Sequence, residues 1–256
     1  MAITINTNVY SLAAQKNLGR TQSNLETSIQ RLSSGLRINM AKDDAAGLAI
    51  AQLQTGQARG MTVAQRNIAD GISYLGVADS TLQAVSDMMQ RQRELAVQYA
   101  SGLYTSAQQG YMSTEFTALA TEITDSLTRA TFNGTAVFGV GGTIQVGANA
   151  GETISVSSAS PAHTATIGSI GSVDTDLGAV AAELANVGSL QSRLESAARV
   201  AASIEEAQYA AAGRVMDADF ARETAKMTSA QVIQQAGVAA LSQANSIPQL
   251  ALSLLQ

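Results

Sequence analysis

Few side chains in this sequence could perform acid–base, nucleophilic or metal chemistry. His163 is the only histidine and no cysteine occurs among the 256 residues, so thiol catalysis, disulfides and thiolate-bound zinc are excluded. No His-Glu-x-x-His pattern occurs, which excludes the zinc-binding helix found in many peptidases. A single histidine in a loop is usually a surface residue. We therefore expect His163 to lie on the surface, and we predict no catalytic residue, no cofactor and no metal.

The acidic side chains toward the C-terminal end are spaced so that they share faces of predicted helices. This set comprises Glu205, Glu206, Asp217 and Asp219. General acid–base catalysis needs groups held within hydrogen-bonding reach of a reacting atom, whereas a charged helix face needs only water or a neighbouring subunit. The pattern favours a solvated or subunit-pairing face, and we predict that the protein is not an enzyme.

The composition suits a long, thin seam better than a wide globular core. Apolar residues make up 46% of the chain, but aromatic residues only 4%, and wide cores usually depend on large side chains. The net charge of −5 without a basic cluster argues against nucleic acid. There is no run of about 18 apolar residues, and the first 20 residues lack the basic and apolar regions of a Sec-type signal. We predict no membrane span.

Apolar residues near the N-terminus follow the spacing of a coiled coil. Leu18, Leu25, Ile29, Leu32 and Leu36 are seven, four, three and four residues apart, which predicts an a/d seam on one helix. A final amphipathic segment runs from about Arg222 to the end, where Pro248 is expected to kink or interrupt it. Its apolar positions include Val232, Ile233, Leu241 and Leu250.

Between the first helix and the next lies a polar stretch that reads as a joint. Ser33 and Gly35 weaken the first helix, and Asn39 tolerates the backbone angles of a turn. Asp43 or Asp44 can accept hydrogen bonds from the free N–H groups of a new helix. The alternative interpretation is a plain surface loop.

The middle of the chain predicts a long helix, a shorter helix and a hairpin. From about Ala45 to Tyr99 there is no proline, and apolar residues continue a heptad-like stripe. Thr105 or Ser106 could cap a second helix that ends near Ala130. Asn133-Gly134 is a strong turn signal, and the sequence Asn133-Gly134-Thr135 also matches a glycosylation sequon. The hairpin region covers about 133–176.

Alternation at Ile144 and Val146, and again at Ile154 and Val156, predicts two short strands. Residues 157–178 are rich in Ser, Gly, Ala and Thr and predict an exposed loop, after which helix returns near Leu177. The fold class is therefore mainly α: a long antiparallel helical coiled-coil rod with one small β-hairpin region.

The apolar stripes at the two ends are too narrow for lone helices to be stable, so a partner is expected. If that partner is a displaced copy of the same chain, the contact does not close and a helical filament results. An unrelated coiled-coil partner would fit the same stripes, and the pattern alone does not choose between the two.

Several stretches carry a resemblance to a known family. They include "INTNVYSLAAQKNL", "QRLSSGLRINMAKDDAAGLAIA", "RNIADGISYLGVAD", "FNGTAVF", "IQVGANAGETI", "DADFARET" and "AQVIQQAGVAALSQANSIPQLALSLLQ". Together they resemble bacterial flagellin at both ends and over most of the chain. The region from about Ser157 to Asp176 has no match, and this is where flagellins carry variable outer domains. The resemblance therefore implies a minimal flagellin without extra outer domains.

The resemblance implies a filament subunit whose polymer drives swimming. Residues 1–40 with 222–256 would form the inner coiled coil that lines the filament channel, and residues 41–221 would form the outer rod. The joint, with Ser33, Gly35, Asn39, Asp43 and Asp44, would connect these layers. It also implies an extracellular flagellar location, unfolded export through the flagellar type III pathway, contacts with the flagellar cap and hook-junction proteins, and an export chaperone on the C-terminal segment.

Two receptor contacts follow from the same resemblance. Residues 30–51 resemble an epitope that a plant receptor kinase senses, although Met40 departs from the usual small polar residue. Arg91, Leu95 and Glu115 match positions that contact Toll-like receptor 5 in stimulatory flagellins. The alternative role of these three residues is packing between neighbouring subunits.

Two other functions compete with a filament subunit. A hook–filament junction protein shares similar ends, but the strength of the 30–51 match favours a flagellin. An adhesin or receptor agonist predicts a developed outer domain, for which residues 157–176 are too few.

Overall fold

The computed structural model of this chain describes residues 7–253, with side chains up to residue 246. This part of the chain forms five α-helices and two antiparallel β-hairpins, which confirms a mainly α fold. The elements are α1 (Val9–Ser34), α2 (Ala45–Tyr99), α3 (Ser106–Arg129), β1 (Thr131–Phe132), β2 (Thr135–Ala136), β3 (Gly142–Gln145), β4 (Thr153–Val156), α4 (Ile170–Met216) and α5 (Phe220–Ser253).

Contacts divide the chain into two compact units, each described here by itself. The terminal unit comprises the chain up to Thr55 and from Tyr209 onward, and the central unit comprises Gly56–Gln208. The helices α2 and α4 each run through a boundary between the units.

In the terminal unit, α1 and α5 pack as an antiparallel pair. Asn8, before the start of α1, donates to the carbonyl of Ala244 at 2.8 Å, whereas Ser28, near the end of α1, reaches Glu223 in the first turn of α5. The residues that face the partner helix recur at alternating spacings of three and four, as a coiled coil requires. They are Ser11, Ala14, Leu18, Thr21, Leu25, Ser28 and Leu32 on α1, and Glu223, Met227, Ala230, Gln234, Gly237, Leu241 and Ala244 on α5.

The central unit is built around two helices whose buried residues recur every seven positions. On α2 these are Met61, Ile68, Leu75, Leu82, Met89 and Ala96, and on α4 they are Val173, Val180, Val187, Leu194 and Ala201. A strict seven-residue repeat keeps one stripe of each helix facing its neighbours. Ile123 and Leu127 of α3 join the same core.

Glycines on α2 allow the second hairpin to lie against the helix. A Cβ placed on Gly71 would fall 2.1 Å from Cδ1 of Ile144, and one on Gly60 would fall 2.7 Å from Cβ of Ala148. Both distances are far below van der Waals contact. A side chain at Gly60 would force the hairpin to move, because Cβ of Ala148 cannot rotate away, whereas one at Gly71 would force the end of the Ile144 side chain to shift. The packing contacts that this close approach allows offset the lower helix propensity of glycine.

The two hairpins follow their turn chemistry. Asn133 and Gly134 both have positive φ, 50° and 78°, as a type I′ turn requires, and they join β1 to β2. In the second hairpin Ile144 pairs with Ile154 and Gly142 pairs with Val156. The two predicted strands are therefore confirmed, except that Val146 lies just beyond β3.

Three boundaries differ from the sequence-based expectation. Helix α4 begins at Ile170, so the loop is shorter than 157–178; the Ser169 hydroxyl accepts from the Ser172 N–H and caps this end. Helix α5 begins at Phe220, because Asp219 accepts from the Arg222 N–H. It also continues past Pro248, which shows that the loss of one N–H donor does not end this helix.

Within residues 7–253, no helix is both long enough and apolar enough to cross a membrane.

Candidate interaction sites

The joint between α1 and α2 is held by its two aspartates. Asp44 accepts a hydrogen bond from the Gly47 N–H at 2.8 Å, which caps the first turn of α2. Asp43 accepts from the backbone N–H groups of Asn39 and Met40, at 3.2 and 3.1 Å. The hydrogen bond from Met40, above all, lowers the pKa of Asp43 below its ordinary value, because it favours the charged carboxylate.

The other predicted joint residues lie at the end of α1. Ser33 is exposed in the last turn of the helix, and Gly35 follows the helix with φ of +72°. This left-handed conformation ends the helix and strongly favours glycine. The Asn39 side chain donates to the Ser34 hydroxyl at 2.9 Å and closes the turn.

Sequence reasoning missed the second strand of this joint. Leu36 and Asp217 form an isolated antiparallel bridge, in which Arg37 donates to the Met216 carbonyl and Ala218 donates to the Gly35 carbonyl. The segment that follows α1 is therefore hydrogen-bonded to the segment that precedes α5. No periodic signal could have shown this, since a bridge of one residue pair has no alternation.

A buried carboxylate links α1 to α5. The side chain of Glu223 is only 6% exposed, and it accepts from the Ser28 hydroxyl at 3.3 Å, from Arg31 at 3.4 Å and from Lys226 at 2.8 Å. The hydrogen bond from Lys226, followed by the positive charges of Lys226 and Arg31, lowers the pKa of Glu223 against the opposing effect of burial.

The predicted self-assembly seam is divided between two faces. Leu18, Leu25, Leu32 and Leu241 are half-buried in the α1–α5 seam. Ile29, Val232 and Ile233 lie on the outside, with 48%, 60% and 54% of their surface exposed. The inward positions there are taken by small and polar residues such as Ser28 and Ala230. Leu250 lies outside the residues whose side chains are described.

The α1–α5 pair thus has apolar side chains on its outside as well as in its seam. Leucines share the seam with serine, alanine, glycine and one glutamate, while other large apolar side chains face outward. We call this outward set the outer apolar face; it comprises Val9, Leu12, Ile29, Phe220, Val232, Ile233 and Val238. On α5 it borders an open, shallow surface that runs from Phe220 to Ile233 along a stripe of Ala, Thr and Ser.

The three residues predicted to contact a receptor lie in the central unit in different environments. Arg91 and Glu115 are both half-exposed and form an ion pair at 2.9 Å between α2 and α3, and Arg91 also pairs with Glu94. The hydrogen bonds that Arg91 donates to these carboxylates, above all the one to Glu94, raise the pKa of Arg91. Leu95, however, is only 2% exposed and packs against Met112 and Phe116.

The residues singled out for chemistry do not assemble a reacting centre. His163 is not the surface residue that we expected: its side chain is 9% exposed and lies beside the buried Asp176. Glu205 accepts hydrogen bonds from Thr62 and Gln65, which links α2 to α4. Among the described residues, no group of three potential metal-ligating side chains is present.

The chain resembles flagellins over nearly its whole length. Residues 5–140 match the family described as "Bacterial flagellin N-terminal helical region", and residues 170–255 match "Bacterial flagellin C-terminal helical region". The flagellar filament 33 kDa core protein of Treponema phagedenis is 34% identical over 284 residues, which cover 98% of this chain and 99% of that protein. A flagellin of Halalkalibacterium halodurans is 36% identical over 272 residues, with the same coverage of both chains.

Two further similarities are partial. A flagellin of Salmonella muenchen is 48% identical over 158 residues, which cover 61% of this chain and 31% of that protein. The crystal structure of Bacillus cereus flagellin covers 56% of this chain and 88% of that chain, with 20% identity and a TM-score of 0.42.

Proposed function

This chain belongs to the bacterial flagellin family and is a subunit of the flagellar filament, and we propose that it joins further copies of itself through the outer apolar face of α1 and α5. The observation that carries this proposal is the set of apolar side chains on the outside of the pair. The seam combines leucines with small and polar residues, while Val232 and Ile233 remain more than half exposed.

The energetics favour covering this face. Complete burial of one Val or Ile side chain contributes about 1.5–3 kcal/mol relative to an exposed one. The outer apolar face has seven such side chains or larger ones, all of them about half exposed or more. Exposed apolar side chains of this number on one helix pair favour an interaction surface. Copies displaced along an axis cover each other's faces without closing a ring, and a helical polymer follows.

The layered arrangement expected from the family is part of this proposal. Residues 1–40 with 222–256 form the inner coiled coil of the filament, and residues 41–221 form the outer layer. The end of α1 at Gly35 and the new start of α2 behind Asp44 support a boundary near residue 40. The leucines of the α1–α5 seam hold the subunit's own pair, and Ile29, Val232, Ile233 and Leu250 are assigned to contacts between subunits.

Assembly of single-residue variants tests this proposal. Ile233→Asp places a charge on the outer apolar face, so salt-induced polymerisation of purified subunits should be lost or reduced severalfold while helicity by circular dichroism stays unchanged. Ile233→Leu is the matched control, since it keeps the apolar surface, and it should still form filaments visible by electron microscopy. Normal filaments from Ile233→Asp would refute the assignment of this face.

The family membership also supports proposals about location and partners. The protein acts outside the cell in the flagellum, where its polymer transmits torque and drives swimming. It leaves the cell unfolded through the flagellar type III channel and meets the cap and hook-junction proteins at the filament ends. An export chaperone holds residues 222–256, for which the exposed apolar residues of α5 offer a binding surface. As a structural subunit, it has no enzymatic activity.

Recognition by innate immune receptors is a second proposal. Arg91 and Glu115 lie close together and half-exposed, so a receptor such as Toll-like receptor 5 could contact both. Leu95 could contribute only after its neighbours move, because its side chain is buried. For the plant receptor, Met40 is exposed at the centre of the 30–51 segment.

The hook–filament junction alternative remains testable, and nothing in the comparisons favours it. Electron microscopy of purified protein after salt-induced assembly separates the two functions. Long filaments support a filament subunit, whereas their absence under conditions that polymerise related flagellins would favour the junction protein.

A further inference from the structure

The segment between β4 and α4 is tied down by side chains and not by regular secondary structure. We call residues 157–169 the strap. It contains one isolated bridge, between Ser158 and Phe138, and its sequence is mainly Ser, Ala, Thr and Gly. Such a composition buries too little apolar surface to offset the entropy of ordering the backbone. The order of the strap must therefore come from specific contacts with the helices beneath it.

Three of these contacts converge on one carboxylate of α4, whereas Glu183 and Asn186 of the same helix hold Ala159 and Ser157. The side chain of Asp176 is 5% exposed, and Oδ2 accepts from the backbone N–H groups of Thr164 and Ala165, at 2.7 and 2.8 Å. Oδ1 accepts from the Thr164 hydroxyl at 3.1 Å. Hydrogen bonds to an ionised acceptor are about twice as strong as neutral ones, so Asp176 is the principal anchor of the strap.

His163 completes this anchor from the strap side. Its Nδ1 atom lies 3.3 Å from Oδ2 of Asp176 but lacks the geometry of a hydrogen bond, and its Nε2 atom lies 3.4 Å from Nε2 of Gln92. Gln92 is completely buried on α2 and donates to the carbonyl of Phe116 on α3. The imidazole thus lies between α2 and α4. The hydrogen bonds that Thr164 and Ala165 donate to Asp176 hold this part of the strap on α4.

The strap lies over an apolar cluster that would otherwise face water. Leu95, Met112, Phe116 and Val173 form the buried part of this cluster, and Ala165 and Ile167 of the strap pack against it. Release of the strap would uncover these apolar side chains.

We propose that the strap is latched at residues 163–167: the Asp176 carboxylate holds this part closed over the Leu95–Phe116 cluster, and loss of that carboxylate opens it without unfolding the helices. This device is independent of the outer apolar face, because every residue in it belongs to the central unit. The strap therefore controls whether the apolar cluster is accessible.

Hydrogen exchange on the full-length monomer tests the latch at the two amides that it holds. In Asp176→Ala, the amides of Thr164 and Ala165 should exchange at least about tenfold faster, since each loses a hydrogen bond to a charged acceptor. The helical amides of α2 and α4 should keep their protection. Binding of a fluorescent hydrophobic dye and cleavage within the strap by a protease that cuts after alanine should both increase.

Two further variants make the outcome decisive. Asp174→Ala is the matched control, since Asp174 is exposed two residues away and pairs with Arg93 instead; strap exchange should not change. Asp176→Asn keeps the side-chain volume and one acceptor oxygen, so it should show a smaller acceleration, and it decides the question if Asp176→Ala fails to fold. Unchanged Thr164 and Ala165 exchange in a folded Asp176 variant, or equal dye binding by Asp174→Ala, would overturn the proposal.

Discussion

Removal of the Glu223 carboxylate should loosen the α1–α5 pair while leaving the central unit intact. The carboxylate has two contacts across the pair, to the buried Ser28 hydroxyl and to the mostly buried Arg31, and one contact within α5, to Lys226. The substitution Glu223→Ala therefore removes the polar link between the helices and leaves Ser28 without its acceptor.

The expected magnitude follows from these contacts. A hydrogen bond to a charged group contributes about 1.5–3 kcal/mol, and the contact to Lys226 adds little because that side chain is exposed. The desolvation of Glu223 is relieved in the variant, which offsets part of the loss. We expect a net destabilisation of α1 by about 2 kcal/mol, which corresponds to roughly a thirtyfold rise in its opening equilibrium.

Hydrogen exchange of the α1 amides in the full-length monomer measures this change directly. Lys226→Ala is the control: it removes only the contact within α5, and its effect on α1 should stay below about 0.5 kcal/mol. Amides of α3, in the central unit, should not change in either variant. Equal α1 protection in Glu223→Ala and the natural sequence would refute the role of this carboxylate in joining the helices.

The Glu223 carboxylate should also make the stability of α1 depend on pH. The pKa of Glu223 is lower in the folded chain than its ordinary value of 4.5. The stabilisation of α1 by this carboxylate is therefore fully present above about pH 4.5. It is lost as the pH falls through the lower pKa of Glu223 in the folded chain. In Glu223→Gln this part of the acid sensitivity of α1 should disappear, after correction for intrinsic exchange rates. An unchanged acid profile would assign the sensitivity to other carboxylates.

Three further predictions address assembly, backbone geometry and recognition. Deletion of residues 1–30 should leave a folded, helical monomer that does not polymerise, as judged by circular dichroism and electron microscopy; normal filaments would contradict the inner-coil assignment. Gly35→Ala should destabilise the terminal unit by about 1 kcal/mol because φ is positive there, whereas Gly19→Ala, in open space within α1, should stabilise it by about 0.5–1 kcal/mol in monomer exchange measurements. Arg91→Ala should weaken any receptor response in a cell reporter, and an unchanged response would leave Arg91 with a packing role only.

The sequence by itself was sufficient to predict the conformation wherever interactions between neighbouring residues determine it. The absence of proline between Ala45 and Tyr99, with an aspartate before it and Gly102 after it, defines the 55-residue helix. Thr105 caps α3 as its hydroxyl chemistry predicts, and Asn133-Gly134 supplies the two positive φ angles of its turn. In each case the deciding interaction lies within a few residues along the chain, so the pattern contains it.

Tertiary structure decided which face of each helix meets which partner. Ile29 and Val232 belong to the apolar stripes seen in the sequence, but Ser28 and Ala230 take the inward positions of the α1–α5 pair. Likewise the His163 side chain is only 9% exposed, since Asp176 and Gln92 lie beside it on helices distant in the chain. The spacing of apolar residues in the sequence identifies an apolar helix face. Which residues cover that face depends on packing between residues far apart in the chain, so only the tertiary structure determines it.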